Sequence, residues 1–118
     1  MHELSIATAV LNTALKHAGD RPVTLVSVRA GRLRQVVPAS LKFYFEIVAR
    51  DTGCERAQLE LTEIEVRLHC SDCQHEWEPA IPAFRCPRCE SGKIRVVAGE
   101  EFEVDYIEIE EPACTGPR

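Results

Sequence analysis

The sequence predicts an α+β chain: a small domain of two helices and a three-stranded sheet, into which a four-cysteine module is inserted. Three observations predict it. Two stretches repeat apolar residues at helical spacing, three runs are β-branched or alternating, and four of six cysteines form two C-x2-C pairs late in the chain. A chain of 118 residues makes one or two small domains.

Leu4, Ala7, Leu11, Ala14, Leu15 and Ala18 recur at helical spacing, and Gly19 is a stop signal. Glu3 suits the positive end of that helix, and His17 the negative end. Pro22 precedes a β-branched run over 23–30, read as a strand that Gly31 ends. Pro38 opens a second helix at a first-turn position, where its missing N–H costs nothing. Leu41, Tyr44, Phe45 and Val48 form its apolar face, read as core, and residues 51–53 end it. Leu59 and Leu61 then alternate with polar residues, but from Ile64 the phase shifts to Val66 and Leu68. The same slip recurs between Phe102, Val104, Tyr106 and the pair Ile107, Ile109. Strand side chains swap faces at every residue, so a slip marks a bulge or a passage between sheets. The two slips predict a module inserted between two adjacent strands. The first domain is then 1–65 plus 99–118, and the inserted domain is 66–98.

Within that insert, Cys70/Cys73 and Cys86/Cys89 each have a two-residue gap, and twelve residues separate the pairs. A C-x2-C turn curls its backbone around one centre and aims both sulfurs at it. Two such turns supply the tetrahedral thiolate set of a structural Zn²⁺ site, here a zinc ribbon. The spacing leaves open a redox dithiol, two disulfides, or rubredoxin-type iron, although a redox motif needs one copy and that iron site usually has a longer loop. Pro87 sets the second turn, and Ser91-Gly92 lets the chain leave it. Trp77 is expected to be the module's packing residue. His69 and His75 are expected at the surface or beside the ligands, since four thiolates already close the tetrahedron; the other reading makes one of them a pH-sensitive alternative ligand.

Charge bounds the function. Residues 1–65 balance eight basic against eight acidic side chains, 66–98 carry a formal +1, and 99–118 a net −6. Four thiolates on a divalent ion bring the insert to about −1. A ribbon that binds nucleic acid needs a basic stripe to neutralise phosphates, so no nucleic-acid partner is expected. No apolar run approaches the roughly 20 residues that span a bilayer, so no membrane insertion is expected. The start of the chain lacks a secretory pattern, and thiols held for metal fit a reducing, cytoplasmic location. A closed four-thiolate set offers no water position for hydrolysis, and there is no phosphate-binding loop of the G-x-x-x-x-G-K-[ST] type. The chain is not expected to be an enzyme. Either it transfers metal, or it is an interaction adaptor that docks through the ribbon.

Met1-His2-Glu3 bears on that choice. The α-amine, the deprotonated His2 amide and the imidazole Nδ1 chelate one ion in fused rings, and planar nitrogen donors suit Ni²⁺ or Cu²⁺. Glu3, water, a second histidine or a partner fills the fourth position. The opening Met1-His2-Glu3-Leu4-Ser5, the Val36-Val37-Pro38 stretch into Ser40-Leu41-Lys42-Phe43, and the two late C-x2-C pairs resemble the HypA/HybF family. These are nickel metallochaperones of [NiFe]-hydrogenase maturation, and the resemblance runs to about Glu110. It implies cargo nickel at Met1, His2 and Glu3, and structural zinc at Cys70, Cys73, Cys86 and Cys89. It also implies delivery to the hydrogenase large subunit together with the GTPase HypB, by a monomer or homodimer. Some members carry histidines beside the cysteine pairs; His75 matches one such position, while Glu90 stands where a second occurs. Cys54 is read as buried filler, Cys114 as part of the tail, and 100–111 as a strand with a solvated acidic face.

Overall fold

The computed structural model describes residues 3–81 and 83–110. Its elements run α1 (Glu3–Ala18), β1 (Val23–Gly31), a 3-10 turn (Arg32–Arg34), α2 (Pro38–Val48), β2 (Gln58–Ile64), β3 (Arg67–Cys70), β4 (Glu76–Trp77), β5 (Ile94–Ala98) and β6 (Phe102–Ile109). They make one three-stranded sheet of order β2-β1-β6 and a second of order β4-β3-β5. Two helices, a mixed sheet and a separate small antiparallel sheet make the fold α+β, as the periodicities predict. Two compact units result. One holds the described residues up to Val28, Val36–Thr62 and those from Glu103; the other holds Arg29–Gln35 and Glu63–Phe102.

In the first unit α1 packs on α2. Ala7, Val10, Leu11, Ala14 and Ala18 are buried on α1, and the three alanines let a neighbour approach closely. Gly19 takes φ +64°, and its N–H returns to the Leu15 carbonyl at 3.1 Å, a left-handed stop that glycine adopts without a Cβ penalty. Pro38 stands in the first turn of α2, whose Leu41 and Phe45 are buried, as are Val23, Val26 and Val28 of β1. Tyr44 and Val48, expected on the same face, are half-buried. Glu110 N–H bonds the Pro22 carbonyl while Gly31 N–H bonds the Glu101 carbonyl, so β1 and β6 run antiparallel.

Burial within the strands shows both phase slips. Thr62 and Glu63 of β2 are exposed in succession, as are Asp105 and Tyr106 of β6. The expectation that the insert joins two adjacent strands is corrected: β1 lies between β2 and β6. Alternation reports which face a side chain takes and nothing about the strand beside it. The α2 crossover between β1 and β2, and the antiparallel return of β6, fill both edges of β1.

The second unit is built on β3, which pairs antiparallel with β4 (Leu68↔Trp77, His69↔Glu76) and with β5 (Leu68↔Val96, His69↔Arg95, Cys70↔Ile94). Leu68 is fully buried, with Val66 and Ala30 nearly so. Trp77 is half-buried, so Leu68, not the tryptophan expected from sequence, is the centre of packing. The Trp77 ring instead stacks on His75, with centroids 5.4 Å apart and planes 7° from parallel. At the other end of the unit Gly31 and Gly99 meet backbone to backbone. A Cβ on Gly31 would lie 2.1 Å from the Gly99 carbonyl carbon and oxygen. Gly99 itself takes φ +114°, and its carbonyl accepts the Leu33 N–H at 2.8 Å. Its N–H donates to the Glu101 carboxylate at 2.7 Å; the N–H of Glu101 itself, and then this bond, hold the carboxyl below its usual range.

Candidate metal centre

Each cysteine pair sits on a turn of the same design. The Gln74 N–H bonds the Cys70 carbonyl at 2.9 Å, and the Cys70 N–H returns to the His75 carbonyl at 2.8 Å. In the second turn Glu90 N–H bonds the Cys86 carbonyl at 2.8 Å, and Cys86 N–H the Ser91 carbonyl at 3.0 Å. Gln74 (φ 66°) and Glu90 (φ 63°) occupy matching left-handed positions, where the chain reverses just after the second cysteine of each pair. The β3–β5 ladder holds the turns against each other, ending in Ser71 N–H to the Lys93 carbonyl at 2.9 Å.

All four Sγ atoms of Cys70, Cys73, Cys86 and Cys89 lie within 4.8 Å of one another. The contacts across the two turns, Cys70–Cys89 and Cys73–Cys86, are each 3.5 Å. A tetrahedral ion with metal–sulfur bonds of about 2.3 Å needs sulfurs roughly 3.8 Å apart, so the set fits such an ion after small side-chain adjustments. The cysteines are free thiols, with Cys70 and Cys86 buried, Cys73 and Cys89 exposed. The alternative of two disulfides thus has no support here.

The proton affinities of these thiols differ. Burial pushes Cys86 up, but the N–H groups of Cys89 and Arg88 and the neighbouring sulfurs outweigh it and bring the thiol down to about 7. The Arg88 N–H lies 3.4 Å from its sulfur. At Cys89 the Ser91 N–H favours the thiolate, yet partial loss of solvent around the exposed side chain and the other three cysteines together drive it up to about 12. Cys73 is likewise raised, despite the His75 N–H, by burial and by Cys86 and Cys70. A metal ion supplies the positive charge that lets all four ionise, so binding displaces protons. Metal retention is therefore expected to weaken as pH falls, which release of the bound ion to a chelator at a series of pH values will measure.

His69 does not face the sulfurs as a ligand. Its Nδ1 lies 3.1 Å from the Glu76 carboxylate and its Nε2 2.9 Å from the Gln74 amide oxygen. Gln74 in turn donates to the Ser71 carbonyl at 3.0 Å, so the imidazole braces the first turn from outside. Arg67 bonds the other oxygen of Glu76 at 3.1 Å; Arg67 first, then His69, holds that carboxyl below its ordinary range. The Arg67–Glu76–His69–Gln74 chain carries no pattern legible in sequence, because its members meet only when β3 and β4 pair. The Asp72–Ser91 contact across the two turns was equally hidden.

The remaining sites are scattered. Glu3 opens α1 and is half-buried, whereas Met1 and His2 lie outside the described residues. His17 is exposed in the last turn of α1. Cys54 is fully buried, which raises its thiol, and Cys114 lies outside the described residues. No helix among the described residues is long and apolar enough to cross a membrane.

A sequence model of the family described as "Hydrogenase/urease nickel incorporation, metallochaperone, hypA" matches residues 1–109. The hydrogenase maturation factor HypA of Desulfatibacillum aliphaticivorans is 38% identical over 116 residues, covering 95% of this chain and 89% of that protein. The factor of the same name from Solidesulfovibrio magneticus is 41% identical over 119 residues, covering 93% of this chain and all of its own. Among solved structures, the solution structure of the Ni metallochaperone HypA from Helicobacter pylori superposes with a TM-score of 0.69 at 24% identity, over 92% of this chain and 97% of that one. At that identity the superposition speaks for the fold alone.

Proposed function

Because this chain belongs to the HypA family, we infer that it is a nickel metallochaperone of hydrogenase maturation, a non-catalytic protein with a resident metal centre and a separate cargo site. The family match over residues 1–109 carries the reading, and the converging sulfurs agree with it. The resident ion is zinc. Zinc has no geometric preference of its own and takes the tetrahedron that four preset thiolates offer. The ion fastens the two turns together and stabilises a unit too small to fold well on its core alone.

Cargo nickel is held by the α-amine of Met1, the amide and imidazole nitrogens of His2, and the region of Glu3. A cation is unfavourable at the positive start of α1. The deprotonated amide of His2 offsets that charge, and the Glu3 carboxylate in the first turn reduces the field further. Nitrogen donors, not thiolates, suit a cargo that must leave again. Its destination is the [NiFe]-hydrogenase large subunit, with the GTPase HypB as working partner, in the cytoplasm.

Calorimetric titration with Ni²⁺ tests this reading. One site per chain is expected, and His2→Ala weakens it by at least about 100-fold, or about 2.8 kcal/mol. Zinc content stays unchanged. Extension of the chain before Met1, which turns the amine into an amide, has a similar effect. Nickel affinity that survives both changes would place the cargo elsewhere.

A further inference from the structure

Two metals of equal charge pass through one small protein, yet the reading above requires each to keep to its own site. Affinity alone does not arrange this, because divalent nickel and zinc stand close in their general preference, so geometry has to discriminate alongside donor type. The relevant geometry is the angle between the two cysteine turns. Each turn contributes a pair of sulfurs as a unit. A tetrahedron needs the two sulfur–sulfur vectors crossed at roughly a right angle, whereas a square plane needs them in one plane. Nickel in its favoured planar form would thus require one turn to twist by about 90° against the other.

Three links oppose that twist. The β3–β5 ladder fixes the turns as far as Cys70↔Ile94, and Ser71 N–H to the Lys93 carbonyl adds one rung beyond it. Beyond it, at the residue that precedes Cys73 in the first turn, the Ser91 hydroxyl donates to the Asp72 carboxylate. The same hydroxyl oxygen accepts the Lys93 N–H at 3.0 Å, which fixes its position. This is the only side-chain hydrogen bond among the described residues that joins the two turns, the sulfur contacts aside. It lies one residue beyond the Ser71 rung on the first turn and two residues short of Lys93 on the second, so it extends the linkage toward the sulfurs. On the matching side of the repeat Arg88 replaces Asp72, and His75 replaces Ser91 with its ring turned onto Trp77.

We propose that Asp72 and Ser91 form a clasp that sets the metal specificity of the cysteine site, holding it tetrahedral and so closed to the cargo nickel. They are positioning residues that touch no metal, and the proposal rests on the reading of that site as resident zinc. The test uses full-length protein stripped of metal and reloaded with equimolar Zn²⁺ and Ni²⁺. Thiolate-to-nickel charge-transfer absorption reports nickel on cysteine alone, and elemental analysis gives the total. Wild-type protein is expected to place zinc on the cysteines. Ser91→Ala and Asp72→Ala raise the nickel-to-zinc ratio there by about tenfold, the scale of one hydrogen bond to a charged group. Ser91→Thr, which keeps the hydroxyl, restores the wild-type ratio. Asp72→Ala leaves the Lys93 N–H bond to Ser91 intact, so it isolates the clasp even if Ser91→Ala holds metal poorly. Wild-type selectivity in both alanine variants would overturn the clasp. Nickel loading onto wild-type cysteines as readily as zinc would instead overturn the resident-zinc reading.

Discussion

Cys86→Ser protein is expected to lose its resident ion and the order of the segment around it. The side chain is buried 3.5 Å from the Cys73 sulfur, so a hydroxyl there faces thiolates it cannot replace as a metal ligand. Three thiolates leave the tetrahedron open. Structural zinc in comparable small modules contributes about 10–16 kcal/mol at neutral pH, and most of that is lost. Little else stands in its place: among the described residues of that unit, the buried aliphatic side chains are Leu68, Val66 and Ala30. Elemental analysis should fall from one zinc per chain to near none, and amide exchange should accelerate through the two turns. The helical circular dichroism should persist, because α1 and α2 are built without these cysteines. Retention of a full zinc equivalent would show that the ion sits elsewhere.

Gly31→Ala should be strongly destabilising, although it adds only one methyl group. The added Cβ meets the Gly99 carbonyl at 2.1 Å and the Glu100 nitrogen at 2.5 Å, and these are backbone atoms that no rotamer change can move aside. Relief requires the Gly31 N–H bond to the Glu101 carbonyl to open, and the Leu33 bond to Gly99 with it. A loss of about 3 kcal/mol is expected, at the upper end of overpacking costs. Gly92→Ala is the control: nothing lies within 4 Å of its added carbon, so its effect stays within about 0.5 kcal/mol. Urea unfolding followed by Trp77, the single tryptophan, reads this unit directly. Coincident midpoints for the two variants would refute the steric argument.

Much of this molecule was legible before any coordinates. Gly19 and Pro38 marked a helix end and a helix start, because each acts through its own backbone conformation and needs no partner. The cysteine pairs were legible for the same reason: a two-residue gap fixes where both sulfurs of a turn point. What stayed hidden depends on pairing between distant segments. The place of β1 between β2 and β6 left no trace in the alternation. Neither did the brace from Arg67 through Glu76 to His69, whose members meet only across a hairpin. The Gly31–Gly99 contact joins residues 68 positions apart, and Gly31 alone read only as the end of a strand. Trp77 misled because size suggested the centre, whereas β4 is a two-residue edge strand that leaves its ring half in solvent.

One further property follows from the way each turn buries its first cysteine and exposes its second. Tightness of holding and speed of exchange become separate quantities. Cys70 and Cys86 anchor the ion from the protein side, while a competing ligand in solution meets Cys73 and Cys89 first. Exchange can then proceed by stepwise substitution from outside, with the incoming ligand bonded before the inner sulfurs let go. The rate of zinc transfer to a small thiol or chelator should accordingly rise with the concentration of that acceptor. A centre that released its ion only by spontaneous opening would show a constant rate. A site of high affinity can by this route remain in kinetic contact with the metal pool around it.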